Sequence, residues 1–272
     1  MKTRKTRKLN DAYGNPTYIV ADYGQGIKDS TVNVYTDNTA AWLLGRLTQA
    51  TVHKIAPNLT TEVRQAVFEY DATTGLLTKE TSDANLPADK RVVKTYTYDT
   101  FGNITQSTTN AWTGAAFQNR TIQTTFDTPT KRFIVQTINP LGHTATATYE
   151  QKFGLPLTQT DANGLTATFE YDGFSRATKQ TMPDGTWKAI SYRKASAANF
   201  QSPANAVFLI YTQNSVGQIS VEHFDSYNRG VQTKSKGFDG RWVIMDHTFS
   251  RTESPDVRVI IKDNHPYYEG ET

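Results

Sequence analysis

The sequence predicts an all-β protein, a long antiparallel meander of short hairpins forming a curved sheet, and three observations point there. The 272 residues include 14 Tyr, 13 Phe and 4 Trp and are rich in Thr; β-branched and aromatic side chains suit a pleated, half-buried surface. Apolar residues seldom recur at helical spacing, because Gly, Asn, Asp or Pro interrupts most windows. The third observation is an internal repeat, which constrains architecture more firmly than local propensity does.

The repeat is visible in four segments, GHTATATY from Gly142, GLTATFEY from Gly164, GTWKAISY from Gly185 and GQISVEHF from Gly217, each running from a turn Gly to an aromatic residue. Between the last two lies an insertion, KASAANFQSPANA at residues 194–206. After the aromatic residue comes an acid and then a turn. Tyr70-Asp71, Tyr98-Asp99, Tyr171-Asp172 and Phe224-Asp225 show this most clearly, and Phe126-Asp127, Tyr149-Glu150 and Phe249-Ser250 are degenerate copies. An Asp at that place accepts hydrogen bonds from the turn backbone, and a Gly such as Gly102 supplies the positive φ that a tight hairpin needs. A second turn returns the chain at Asp161-Ala-Asn-Gly164, Pro183-Asp-Gly185 and Phe238-Asp-Gly240. Strands of about seven residues joined by such turns add up to roughly twenty.

Alternation dresses the sheet. Leu165, Ala167, Phe169 and Tyr171 share one face and Thr166, Thr168 and Glu170 the other, so one face is packed and one is wet. In residues 218–224 Ile219 and Val221 oppose Phe224, so units differ in what they bury. Residues 39–47 (TAAWLLGRL) are the best helical candidate, interrupted by Gly45, and the stretch around Trp42 is a candidate cap for a sheet edge.

Charge narrows the function classes. The net charge of +3 arises from the first eight residues, where Lys2, Arg4, Lys5, Arg7 and Lys8 cluster; the rest is slightly acidic, and nucleic acid is not an expected partner. Residues 1–8 read as a basic, disordered tail, and 9–272 as the repeat region. With no Cys there is neither a disulfide nor a thiolate metal site. No apolar run is long enough for a membrane helix, and the basic start is not followed by the apolar stretch of a signal peptide. Membrane insertion by this chain is not expected.

These units resemble the YD-repeat, or Rhs-repeat, family, most closely at YTYDTFGNITQST (96–108) and TDANGLTATFEYDGFSRATKQTMPDGT (160–186). WLLGRLT from Trp42, and GFDGRW from Gly237 followed by Phe249, are similar to the B component of bacterial Tc insecticidal toxins in the part after its propeller. The resemblance covers residues 9–261 and is strongest over 90–250. It implies part of a hollow β-shell that encloses a toxic partner segment, with other YD-repeat shell segments or the C component of a toxin complex as partners and a secreted or extracellular location. The DPxG-type cleavage motif of such shells has no counterpart; the nearest string is Asn139-Pro-Leu-Gly142. The chain therefore reads as a stretch of shell wall.

No catalytic, cofactor or metal residue is expected. The five His residues show no metal-ligand spacing, and no nucleophile elbow or phosphate loop is present. His223 with Asp225 and Asp246 with His247 lie one repeat apart, and both pairs read as solvated strand residues. Glu69/Asp71 and Glu170/Asp172 flank the repeat's own turn and read as turn caps rather than a glycosidase pair. Trp187 and Trp242 each follow an Asp-Gly turn, an equivalence that favours packing. The residues expected to matter are structural: Tyr98, Asp99, Gly102, Gly164, Tyr171, Asp172, Gly185, Phe224 and Asp225. The alternative function is a cell-surface adhesion module binding glycan or protein through exposed aromatics.

Overall fold

The computed structural model describes residues 4–251 and 259–271. The chain divides into two compact units, Met1–Thr144 and Ala145–Thr272. The first holds β1 (Lys5–Asn10), β2 (Pro16–Asp22), β3 (Lys28–Asn38), β4 (Leu43–Ile55), β5 (Glu62–Tyr70), β6 (Leu77–Ser82), β7 (Val92–Tyr98), β8 (Ile104–Trp112), β9 (Phe117–Phe126) and β10 (Ile134–Ile138). Each strand pairs antiparallel with the next. One short 3-10 turn, Ala88–Lys90, lies between β6 and β7.

The second unit holds all but the first residue of β11 (Thr144–Glu150), then β12 (Leu155–Thr160), β13 (Thr166–Tyr171), β14 (Ala177–Thr181), β15 (Trp187–Lys194), β16 (Phe208–Asn214), β17 (Ile219–Phe224), β18 (Gly230–Lys236), β19 (Trp242–Arg251), β20 (Val259–Asp263) and β21 (Tyr267–Tyr268). The meander continues in order from β11 to β19. Both β20 and β21 then pair with β19, the first opposite residues 247–251 and the second opposite Val243 and Ile244. The all-β antiparallel meander read from the sequence is the fold.

Two local expectations fail. Residues 39–42 are a turn and β4 starts at Leu43, so no helix forms over 39–47. Trp42 and Gly45 both take positive φ (54° and 67°), which a right-handed helix forbids, and the pairing of β3 with β4 outweighs the short apolar run. The basic start is not unpaired up to residue 8: Lys5–Asn10 lie along β2, with Lys5 opposite Asp22. A long strand edge on β2 offers hydrogen bonds that charge alone does not prevent.

The core is thin. Among the described residues, the buried apolar side chains are Ala21, Leu209, Val221, Val231 and Ile244, four of them in β16 to β19. Elsewhere strands alternate between half-buried and exposed, as in β13, where Ala167, Phe169 and Tyr171 are half-buried and Thr166, Thr168 and Glu170 exposed. Hydrogen-bonded pairing between neighbours, with side-chain ladders laid over it, therefore holds most of the sheet.

Candidate functional site

The repeating unit is built around its aromatic residue. Tyr70 pairs with Leu77, Tyr98 with Ile104, Tyr171 with Ala177 and Phe224 with Gly230, and in each case the ladder slips between that aromatic residue and the one before it. Such a bulge places one extra residue on the returning strand and sharpens the local twist. In two units that extra residue is a Thr whose hydroxyl donates back across the hairpin, Thr78 Oγ1 to the Glu69 carbonyl (3.1 Å) and Thr105 Oγ1 to the Thr97 carbonyl (3.3 Å). The tyrosine hydroxyl points the other way. Tyr70 donates to Leu47 O (2.8 Å), Tyr98 to Leu77 O (2.6 Å) and Tyr171 to Pro156 O (2.9 Å), each time on the preceding strand. Partial burial raises the pKa of all three phenols, so they stay protonated donors.

The acid after the aromatic residue closes the turn. Asp99 Oδ1 accepts from the N–H groups of Phe101 and Asn103 (2.9 and 3.0 Å), Asp172 Oδ1 from those of Phe174 and Arg176 (2.9 and 3.0 Å), and Asp225 Oδ1 from those of Tyr227 and Arg229 (2.8 and 3.0 Å). The second oxygen takes the last residue's side chain: Arg176 Nε and Arg229 Nε each donate at 2.7 Å, and Asn103 Nδ2 at 3.1 Å. These bonds hold the carboxyls below the ordinary range. The arginine side chain is the largest cause at Asp172 and Asp225; at Asp99 burial pushes upward and the Asn103 and Phe101 bonds overcome it. The third residue after the acid sits left-handed whatever its identity, at φ 85° for Gly102, 65° for Ser175 and 60° for Asn228. Gly164 and Gly185, at φ 78° and 82°, supply the same conformation in the opposite turns.

Each turn also fastens the next repeat. The Arg176 guanidinium, fixed by Asp172, lies 4.1 Å from the ring centre of Tyr192, and Arg229 lies 4.7 Å from that of Phe249. Where Asn replaces Arg, Asn103 Nδ2 donates to the Lys131 carbonyl of the following turn at 2.8 Å. Sequence reading located the turns but missed this coupling, whose signal was the Arg or Asn four residues after the acid. Trp242 packs edge-on to Phe200 (6.1 Å), whereas Trp42 is exposed.

The histidines differ from expectation. His223 is fully buried instead of solvated, on the same face as Val221 and opposite Gln232, which in turn is opposite Asp246. Neither ring nitrogen of His223 makes a well-formed hydrogen bond, although the Gln232 backbone is close enough to favour its charged form. The pairing register, which the sequence does not display, puts His223 two residues from Val221 on the covered face. His247 points to the other face, with Nδ1 2.6 Å from Asp263 Oδ1 and Nε2 2.9 Å from Thr233 Oγ1. That order mimics a carboxylate–imidazole–hydroxyl relay, but Glu222 is opposite Thr233, and a carboxylate there opposes the build-up of an oxyanion. Among the described residues no three His, Asp or Glu side chains group as a metal site.

Bulged aromatic, acid-capped turn and onward fastening define a class, the tandem hairpin repeat in which each unit is secured to its neighbours. Residues 152–186 match the family described as RHS Repeat, so the Rhs-repeat resemblance holds on that segment, which spans the Tyr171-Asp172 unit. No curated protein matches the chain. Among solved structures it is similar to TcdB2-TccC3-Cdc42 and TcdB2-TccC3, each at 14% identity over 97% of this chain with a TM-score of 0.49. It is also similar to the Photorhabdus luminescens Tc holotoxin pore, at 14% identity and a TM-score of 0.44. The chain spans only 15% to 16% of the length of those chains.

Proposed function

We propose that this chain is a structural, non-catalytic wall segment of a secreted toxin assembly, which encloses or helps deliver a toxic partner segment together with other YD-repeat segments or a C component. The observation that carries this reading is where the polar side chains go. Asp99, Asp172, Asp225, Arg176 and Arg229 spend their hydrogen bonds inside turns or on the next repeat, as the parts of a wall would. Among the described residues no helix is long and apolar enough to cross a membrane. The test is protease protection. Assembled with its partner segments, the chain should shield an enclosed segment that is digested when free; equal digestion in both states would contradict the proposal.

Exposed turn aromatics favour a second reading. Phe174 and Tyr227, 83% and 78% exposed, suit an adhesion surface for glycan or protein. Selective binding on a glycan array, abolished by Phe174→Ala with Tyr227→Ala, would favour adhesion over the wall.

A further inference from the structure

The insertion between β15 and β16, residues 195–207, is not a free loop. Ala195 N–H donates to Val207 O (3.0 Å) and Val207 N–H to Phe224 O (2.7 Å), anchoring both ends. At its middle the Phe200 ring stacks on Tyr211 of β16 (5.2 Å) and meets Trp242 of β19 edge-on (6.1 Å), while the Arg193 guanidinium lies 4.9 Å from Tyr211. Tyr211 is opposite Val221, and Val221 opposite Lys234. A ring touching both Tyr211 and Trp242 thus spans β17 and β18, the two strands between them. Leu209, Val221, His223 and Lys234 on that face are at most 3% exposed, in a sheet that otherwise leaves its faces open. The strap also holds two consecutive non-glycine residues left-handed, Phe200 at φ 59° and Gln201 at φ 49°. Such strain persists only while the surrounding contacts enforce it.

On the strap's face of the sheet the charges are unevenly served. From β18, Lys234 and Gln232 face His223, and Asp246 lies beyond them on β19. Both Asp246 oxygens are already taken, by Gln232 Nε2 and by the Tyr267 hydroxyl (2.7 Å each). Glu269 and Asp246 attract Lys234, and Asp225, in the turn just after the histidine's strand, is bound by Arg229. From β16 the histidine is opposite the apolar Leu209, and Arg193 of β15 is opposite Leu209 in turn. Residues 195–207 contain no ionisable side chain. A proton arriving on His223 would therefore meet a buried lysine, while the Asp246 and Asp225 carboxylates are already engaged.

We propose that residues 195–207 form an acid-released latch, closed over neutral His223 by Phe200 in its Arg193–Tyr211–Trp242 box, and lifted when His223 takes a proton. Burial, and then Lys234, lower the histidine to about 4, so the latch is shut at neutral pH and opens as the medium acidifies from about 6.5 toward that value. Lifting exposes Leu209, Val221 and Tyr211, an apolar patch with strap strain relieved.

The chain has no Cys, so a single Ala198→Cys carries one spin label at the strap. Its mobility by electron paramagnetic resonance should rise between pH 6.5 and 4 while β circular dichroism is retained. The rise should be absent in His223→Gln and in His223→Leu, and Phe200→Ala should make the label mobile already at pH 7.5. An unchanged label down to pH 4, the same transition in both His223 variants, or loss of the whole β signal together with the strap would each overturn the latch.

Discussion

Arg176 and Tyr192 stand on different hairpins, yet the guanidinium lies 4.1 Å from the tyrosine ring centre because Asp172 grips its Nε and Nη2 at 2.7 Å each. The contact joins one repeat to the next. Arg176→Ala should lower stability by about 0.5 to 1 kcal/mol, the scale of a partly exposed cation–π contact. Arg176→Lys should recover little, because an ammonium cannot grip both groups as a planar fork does. Urea denaturation of both variants, with unchanged slope, checks this.

The left-handed turn position gives an unusual expectation. Ser175 holds φ 65° and its hydroxyl is buried without a partner, whereas Gly102 occupies the same place at no steric cost. Ser175→Gly should stabilise by about 1 kcal/mol, and Gly102→Ser should destabilise by a similar amount. In the opposite turn, Gly164→Val should cost about 1 to 3 kcal/mol from backbone strain alone, since a Cβ there meets nothing within 4 Å. Asp172→Ala should melt below wild type. Thermal melts of the four variants measure all of this.

Stability should also depend on pH through His223. The unfolded chain binds a proton near the ordinary value of 6.5 and the folded chain only near about 4, so protons favour unfolding between those values. Stability of the second unit should fall as pH drops from 6.5 to about 4, with no further loss from this group below that. His223→Leu should flatten this part of the profile. Chemical denaturation at half-unit pH steps would show it.

Strand β1 is exposed along its whole length and carries Lys5, Arg7 and Lys8. Cations on an edge strand discourage pairing with another chain, and salt screens them. Self-association by analytical ultracentrifugation should therefore increase from low to high salt. Replacing Lys5, Arg7 and Lys8 by Thr should remove the salt dependence and raise association throughout.

The meander was legible because its signals are local. An aromatic residue, an acid and a Gly recur at fixed offsets, and each offset corresponds to a turn or a strand end, as at Tyr98, Asp99 and Gly102. What escaped depends on pairing register. The hydroxyl bond from Tyr171 to Pro156, the stacking of Arg176 on Tyr192 and the burial of His223 each join residues that become neighbours only once strands are paired. The helix expected at residues 39–47 failed for the complementary reason: a short apolar run has a local preference that the β3–β4 ladder overrides.

Electron microscopy of the chain assembled with its partner repeat segments tests the wall most directly. The account predicts a continuous β-sheet curving around a hollow interior, with the turns at Asp99, Asp172 and Asp225 along its rims. A compact two-sheet sandwich with a filled core, and no enclosed space, would contradict it.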